Sequence, residues 1–319
     1  MTEVEEMPLK PETKSVYHIP EDVTVPPKHK HKRGQIWLYA ISGALVALII
    51  GGVITGIVNA TEISITDGLK QLWTLNFALF VLAGFVAQMI DGALGMAYGA
   101  SCTSILMSFG VSPAAASASV HTAEVFTTGA SGISHLRFGN VNSKLAKALI
   151  IPGVLGAILG AYVLSSIDGK KIAPYISIYL IFLGLRILMK AFNLNNKKSK
   201  IKNIAPLALF GGFIDSVGGG GWGPIVTSTL LGKGRNPRYT IGSVNLAEFF
   251  VALASAGIFT FMLGFQNWLV MLALILGGVM AAPFGAILAS KIKPKTLMIV
   301  VGLVVIGLSI RTIVKAWVI

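Results

Sequence analysis

Ser119–Glu124 reads SVHTAE, and the same pattern returns as SVNLAE at Ser243–Glu248. Each copy follows a glycine-rich stretch, Asp91–Gly95 in the first case and Asp215–Gly223 in the second. Both copies lie in apolar sequence that is long enough to cross a membrane. Duplicated membrane halves that each contain a broken helix are the architecture of secondary transporters. The repeat therefore predicts a transport function and places the substrate near the glycine-rich breaks.

The composition is that of a membrane protein. Hydrophobic residues make up 54% of the chain and charged residues only 12%, against about 25% charged residues in soluble domains. Apolar runs of about 20 residues recur along most of the length, which is the signature of spanning helices. The net charge of +13 lies in short clusters between these runs, as expected of cytoplasmic loops rather than of a nucleic-acid-binding surface. The single cysteine, Cys102, excludes an internal disulfide, and its apolar surroundings indicate packing.

The chain divides into a tail, an extra helix and two repeats. Residues 1–35 are predicted to be a disordered cytoplasmic tail because they are rich in proline and mixed charge, and residues 36–58 to be one extra transmembrane helix. Residues 75–193 form the first transport repeat and residues 204–319 the second, with a lysine-rich cytoplasmic linker at 194–203 between them.

In each repeat a broken apolar segment precedes three regular spans. The part before the first break, Leu75–Ile90, holds 16 residues. That is about 24 Å of helix at 1.5 Å per residue, against a hydrocarbon core of about 30 Å. The broken segment is therefore either one bent span or a re-entrant hairpin that returns to its starting side.

Loop charge favours the hairpin. With the tail inside and a hairpin in each repeat, most loop lysines and arginines fall on the cytoplasmic side, as the positive-inside rule requires. A single bent span would move the cluster Lys197–Lys202 outside. Because each repeat then has three spans, the second repeat is inverted relative to the first and the C-terminus lies outside. Arg311 and Lys315 near the C-terminus count against this orientation. The predicted fold is thus an all-α polytopic membrane protein with two inverted repeats, each a glycine-broken re-entrant hairpin plus three spanning helices, after one extra transmembrane helix.

The breaks are the predicted substrate site. A break frees backbone groups at membrane depth, which is tolerated only inside protein or beside a water-filled cavity. The half-helix beyond each break would point N–H groups and its positive dipole end at that cavity, and glycine lets a ligand approach the backbone closely. Two such ends that meet would make an anion site; the alternative is that the glycines serve helix packing. The predicted substrate-binding residues are Gly95, Met96, Tyr98, Gly220, Gly221, Trp222 and Gly223 at the breaks and Ser119, Ser243 and Asn245 in the motifs.

For the two aromatic side chains, Tyr98 and Trp222, packing is the favoured interpretation because each is a lone aromatic.

Two carboxylates lie within apolar helices. The carboxylates of Glu124 and Glu248 are costly to place inside a membrane and therefore indicate function. His121 shares a helical face with Glu124, and histidine is the side chain that is able to change its charge near neutral pH. Together they predict a protonatable relay for coupling or gating; the alternative is a polar contact between the repeats. Ionised carboxylates would repel an anionic substrate and protonated ones would not, which suggests proton coupling. Asp91 and Asp215, at the breaks, either cap the half-helices or titrate with the relay.

Other motifs of enzymes and cofactor sites are weak or absent. Gly129–Gly132 reads GASG, which looks like the serine motif of intramembrane proteases, and His135 is close by. No second Gly/His helix arrangement completes a dyad, and small residues in transmembrane helices usually serve packing. The sequence contains no Walker A, HExxH or CxxC motif. Neither enzymatic activity nor a cofactor or resident metal is therefore expected.

The chain resembles the TauE/SafE family of sulfite exporters. The resemblance rests on the glycine-rich first helix of each half, on the SVxxAE segments and on the GxxxGA helix at Gly156–Ala161, and it covers residues 75–318. Gly218–Pro224, GGGGWGP, is close to the glycine-rich break that this family shows, whereas Asp91–Met96, DGALGM, departs from it. The resemblance implies transport of sulfite, sulfonates or related sulfur-containing anions.

The predicted function is a secondary transporter that exports a small sulfur-containing anion across the cytoplasmic membrane by alternating access, with coupling to protons. Its expected partners are the anion, protons and membrane lipid, and no nucleic acid. Two alternatives stay open. One is a passive anion channel, and the other is a cation or metal transporter that uses the intramembrane carboxylates and His121 as ligands.

Overall fold

The computed structural model describes residues 75–192, 203–264, 267–291 and 294–318. The predicted tail, the extra helix at 36–58 and almost all of the linker lie outside the described residues. Every regular element in the described ranges is helical. The helices are α1 Leu75–Leu94, α2 Tyr98–Ser108, α3 Pro113–Arg137, α4 Ser143–Ser165, α5 Gly169–Phe192, α6 Ala205–Gly218, a π-helical turn Gly223–Thr227, α7 Ser228–Gly232, α8 Pro237–Leu263, α9 Trp268–Lys291 and α10 Pro294–Val318.

The helices are those of a multi-pass membrane protein. Four of those in the described ranges, α4, α5, α8 and most of α10, are long and apolar enough to cross a membrane, and α1, α6 and α9 contribute shorter apolar stretches. Large apolar side chains are also widely exposed on the outside of the bundle, for example Phe261 at 85%, Tyr175 at 70% and Ile151 at 69%. Soluble monomers rarely present such extended apolar surface, so these side chains face lipid.

Helix α3 is an interior helix. The sequence predicts a regular span at 113–134, but α3 is not among the helices apolar enough to cross a membrane by composition. Its first half is rich in alanine, serine and threonine and is buried, packed against α8 and α9. Because other helices shield α3 from lipid, it can carry polar side chains at membrane depth.

The helices exchange partners between the two halves of the chain. Helix α1 packs on α9, and α6 packs on α4, so the first helix of each half lies against the second-to-last helix of the other. Likewise α3 packs on α8, and α5 packs on α10. The core is therefore built almost entirely from contacts between the halves.

Glycines set the close approach of α4 and α6. A Cβ on Gly156 would collide with the carbonyl oxygen of Leu209, and one on Gly212 with the carbonyl oxygen of Gly153. Helix α1 meets α9 in the same way, because a Cβ on Gly84 would lie 2.8 Å from the carbonyl oxygen of Leu274. Small residues that let backbones touch are the usual packing device between helices in membranes.

We expect Gly156→Ala to destabilise the protein. The added methyl has no space against the α6 backbone, and overpacking of this kind costs about 1–3 kcal/mol, more than the gain of up to about 1 kcal/mol from replacing a helical glycine by alanine. Gly307→Ala is the matched control, because a Cβ there meets nothing within 4 Å. Thermal unfolding of the purified protein in detergent should show a clear drop for Gly156→Ala and no drop for Gly307→Ala. Equal midpoints would show that α4 and α6 are not in backbone contact.

Each glycine-rich break joins the two arms of a helical hairpin. The Phe80 ring, near the start of α1, lies edge-on to the Phe109 ring, just beyond α2, with centroids 5.7 Å apart. The start of α1 and the end of α2 therefore lie at the same end of the bundle. In the second half, a Cβ on Gly211 in α6 would collide with Val226 of the π-helical turn, so these two segments also run side by side.

The first break begins later than the sequence predicts. Helix α1 does not stop at Ile90 but continues through Asp91 to Leu94, because one glycine inside a helix costs only about 1 kcal/mol. The helix ends where Gly95 and Ala97 adopt positive φ angles of 66° and 93°. At 20 residues, α1 is about 30 Å long, so it reaches deeper than the 16-residue segment expected from the sequence.

Candidate functional site

The turns of the two hairpins touch each other. A Cβ on Gly99 would lie 2.7 Å from Gly220 Cα and 2.8 Å from the carbonyl oxygen of Gly219. The Thr103 hydroxyl donates a hydrogen bond of 2.5 Å to that same carbonyl. Only glycines allow this approach, so the glycine-rich breaks are brought face to face, as the sequence predicts for a shared site. We call these two contacting turns, residues 95–99 and 219–223, the hairpin tips.

An aspartate caps the half-helix beyond each break. Asp215 Oδ1 accepts hydrogen bonds from the backbone N–H groups of Gly221 at 2.6 Å and Trp222 at 2.9 Å. Asp91 Oδ1 accepts one from the N–H of Tyr98 at 3.4 Å. Side-chain caps of this kind satisfy N–H groups that helix starts leave free. Both aspartates therefore occupy N–H groups that an anion would otherwise use.

His121 and Asp215 share a proton. The Ser117 hydroxyl donates to the carbonyl oxygen of Ser216 at 2.6 Å, so the His121 Nδ1–H must donate to the carbonyl oxygen of Ser117 at 2.8 Å. His121 Nε2 lies 3.2 Å from Asp215 Oδ2, and two bare acceptors would repel each other at that distance. A second proton must therefore lie between them, either on the imidazole or on the carboxyl group.

A small cavity lies between the tips and the motif glutamates. Its lining residues are Asp91, Ala97, Tyr98, Gly99, Ala100, Glu124, Asp215, Gly220, Gly221, Gly223, Pro224 and Glu248. About 10 Å³ of it is open to the centre of a water molecule, which is close to the least space that one water needs. A sulfur oxyanion needs more room, so the site is closed in this conformation.

The charge in the cavity is dominated by carboxyl groups. Asp91, Glu124, Asp215 and Glu248 all contribute to its lining. Within the described residues, Glu124 Oε2 is buried and has no hydrogen-bond partner. Burying an unpaired carboxylate is costly, and four negative charges would repel each other and any anion. The cavity can therefore accept an anion only when protons, or another positive charge, accompany it.

The motif residues outside the cavity form hydrogen bonds within their own helix or to a neighbouring segment. Ser119 donates to the carbonyl oxygen of Ala115 within its own helix at 2.8 Å. Ser243 accepts from the backbone N–H of Asn142 at 2.8 Å, and Asn245 donates to the Ser131 hydroxyl at 2.9 Å. None of the three motif residues lines the cavity. Because Ser131 is held by Asn245 and not by a histidine, the GASG stretch shows no catalytic dyad.

Three predicted residues at the breaks also lie outside the cavity lining. Trp222 is fully buried, and its indole N–H donates to the carbonyl oxygen of Val244 at 3.3 Å, which agrees with the packing interpretation. Gly95 closes the end of α1, where a Cβ would face Ile241. Met96 packs against Gly223 in the opposite tip.

Contacts between distant helices add residues that the sequence alone does not single out. The Tyr179 hydroxyl on α5 donates to the carbonyl oxygen of Gly220 at 3.0 Å. Thr103 binds the opposite tip, and Ser117 links His121 to α6. Each is a polar side chain within an apolar or buried helix, and that pattern is the sequence signal that could have found them.

Comparison with known proteins identifies a transporter family. The model of the family "Sulfite exporter TauE/SafE" matches residues 80–312. A protein of Bacillus subtilis (strain 168) named "Probable membrane transporter protein YtnM" is 43% identical over 250 residues, which cover 75% of this chain and 83% of that protein. "Probable membrane transporter protein ORF9" of Sinorhizobium sp is 26% identical over 252 residues, 73% of this chain and 91% of that protein. No solved structure matches the chain.

Proposed function

We propose, from the premise that this chain belongs to the sulfite exporter TauE/SafE family, that it exports a small sulfur-containing anion across the cytoplasmic membrane by alternating access with coupling to protons. The family and the named relatives make it a membrane transporter and not an enzyme. The observation that carries the proposal of proton-coupled anion export is the closed cavity, in which two capped half-helix starts meet the carboxyl groups of both motifs.

The two halves are proposed to be inverted repeats. The exchange of partners between the halves, with α1 on α9 and α6 on α4, is what a two-fold relation between the halves would produce, and three spans in each repeat favour an axis in the membrane plane. Each broken segment is then a re-entrant hairpin, with its tip at the centre of the protein. Loop charge places the N-terminus in the cytoplasm and the C-terminus outside.

The anion is proposed to bind between the hairpin tips, at Gly95–Tyr98 and Gly220–Gly223. Helix starts are good anion sites because of their N–H groups and positive dipole ends. The caps by Asp91 and Asp215 compete for these groups, so protonation of the aspartates would release N–H groups to the substrate. Binding of the anion and binding of protons are thereby linked at one place.

Proton coupling is proposed to run through Glu124 and Glu248, with His121, Asp91 and Asp215 assisting. The shared proton between His121 and Asp215 and the unpartnered Glu124 Oε2 both support this assignment. Protonation of the carboxyl groups would remove the repulsion that excludes an anion, and release of the protons would expel it.

The double variant Glu124→Gln, Glu248→Gln tests this coupling. Glutamine keeps the shape and hydrogen-bonding capacity but cannot carry a proton, so we expect the pH dependence of sulfite transport to disappear and the rate to fall about tenfold or more. Transport is measured in proteoliposomes at several pH values. A double variant that transports at the wild-type rate with unchanged pH dependence would rule out the coupling role.

One observation favours a second candidate, the cation or metal transporter. Ligand atoms of His121, Glu124 and Asp215 all lie within 4.8 Å of one another, and imidazole with carboxylates suits divalent transition metals. Uptake of Zn²⁺ or Mn²⁺ into proteoliposomes, in the absence of sulfite uptake, would establish it. A passive channel is distinguished by the absence of saturation and of accumulation against a gradient.

A further inference from the structure

One face of α5 carries basic residues inside the membrane. Tyr179, Arg186 and Lys190 are spaced by seven and four residues, which puts them on the same side of a helix. Arg186 and Lys190 are half-buried, within a helix that is long and apolar enough to span the membrane. We call these three side chains the α5 basic face.

The α5 basic face reaches both hairpin tips. The Lys190 ammonium lies 3.5 Å from Met96 Sδ in the first tip, and the Tyr179 hydroxyl donates to the carbonyl oxygen of Gly220 in the second. Arg186 lies between them along the helix. The two ends of the α5 basic face thus contact the two tips, while Phe182 and Leu183 lie between Tyr179 and Arg186 along the helix.

Neither Arg186 nor Lys190 has a carboxylate partner within the described residues. The ion pair found there joins His121 to Asp215. A thioether is only a weak acceptor, so Met96 leaves the Lys190 ammonium mostly unsatisfied. A basic residue within a membrane-spanning helix is costly unless it is paired. Positive charge that is retained at such a cost, next to the site, needs an anion to offset it.

Snorkelling to lipid headgroups is the alternative for a basic residue near a helix end. It would turn the Lys190 ammonium toward the membrane surface. The ammonium instead contacts Met96, whose side chain is only 4% exposed and which packs against Gly223. The basic group is therefore directed at the buried tips.

We propose that Arg186 and Lys190 are the access site for the anionic substrate, on the side of the bundle where α5 ends. The proposal rests on the proposed function and adds its selectivity step. The Arg186 guanidinium can bind two oxygens of one sulfite or sulfonate group through parallel N–H donors. The Lys190 ammonium, which contacts Met96, binds the anion beside the first tip. Their positive charge offsets the carboxyl groups of the cavity, so anions are admitted and cations are repelled. Because loop charge places this end of α5 in the cytoplasm, the site faces the compartment from which an exporter loads.

The test compares the KM for transport of sulfite or methanesulfonate in proteoliposomes that contain Arg186→Gln, Lys190→Gln or the control Lys171→Gln. Lys171 lies on the same helix at its opposite end and is exposed, so the control variant loses the same charge and leaves the α5 basic face unchanged. We expect KM for the anion to rise about tenfold or more in each of the first two variants, as for loss of a charge-assisted hydrogen bond. Lys190→Arg should keep KM within about twofold of the wild type, and Lys171→Gln should leave it unchanged. Thermal unfolding checks that every variant is folded.

The outcomes separate the two proposals. Wild-type transport with KM unchanged in Arg186→Gln and Lys190→Gln would overturn the access site and leave the proposed function standing. If the wild type transports neither anion, the proposed substrate is wrong, and anion-dependent stabilisation of the detergent-solubilised protein decides the access site. A rise in unfolding temperature with sulfite, sulfate or phosphate that both variants lose would support it. A rise that they keep, or no rise in the wild type, would overturn it.

Discussion

Asp215→Asn is expected to leave the protein folded and to uncouple it. The asparagine carbonyl oxygen can still accept from the N–H groups of Gly221 and Trp222, which Asp215 Oδ1 now caps. Its amide nitrogen would donate to His121 Nε2, in place of the proton that now lies between the two side chains. The geometry is thus preserved, but the site can no longer take up or release that proton.

The expected result is that uptake driven by a pH gradient is lost, while exchange of the anion across the membrane at equal pH continues. The measurement compares gradient-driven uptake with counterflow in the same proteoliposomes. Asp215→Ala is the contrasting variant. It removes the cap as well, which costs about 0.5–2 kcal/mol and leaves buried N–H groups unpaired, so it should lower the unfolding temperature. If Asp215→Asn keeps gradient-driven uptake at the wild-type rate, the shared proton has no part in coupling.

Gly220→Ala is expected to abolish transport. A Cβ at this position would collide with the backbone of Gly99 in the opposite tip and of Ala100 next to it, and a backbone atom cannot move aside as a flexible side chain can. The two tips must separate, which costs about 1–3 kcal/mol of stability for overpacking and opens the cavity that they close. Gly99→Ala should act in the same way, because its Cβ would lie 2.7 Å from Gly220 Cα.

Gly232→Ala is the matched control, since a Cβ there meets nothing within 4 Å. Anion transport and thermal unfolding are measured for all three variants. We expect transport to fall below about a tenth of the wild-type rate in the two tip variants and to stay unchanged in Gly232→Ala. Wild-type transport by Gly220→Ala would show that contact between the tips is not required.

The repeated motif predicts much of the arrangement because repetition is a property of the sequence itself. The breaks follow from glycine clusters in apolar sequence, and the meeting of residues 95–99 with 219–223 is the arrangement expected from two such breaks. For Asp91 and Asp215 the sequence allows either capping or titration. The structure shows the cap, because Asp215 Oδ1 accepts from two N–H groups while Oδ2 lies beside His121 Nε2. The titration role stays a prediction.

The sequence is less informative about which face of a motif helix points where. In SVHTAE, Glu124 lines the cavity and His121 reaches Asp215, but Ser119 bonds only to its own helix. These differences depend on how α3 packs against α6 and α8, which no local pattern records. The α5 basic face depends in the same way on tertiary packing, because the approach of Lys190 to Met96 joins residues far apart in the chain.

Proton-coupled transport of a sulfur-containing anion is tested by uptake of labelled sulfite into proteoliposomes that contain the wild-type protein, with and without an imposed pH gradient. For proton-coupled anion transport we expect saturable uptake that rises when the gradient favours movement of protons with the anion and falls when the gradient is collapsed. Saturable uptake that ignores the gradient would contradict the coupling through Glu124, Glu248 and the His121–Asp215 pair. No uptake of sulfite under either condition would contradict the proposed substrate.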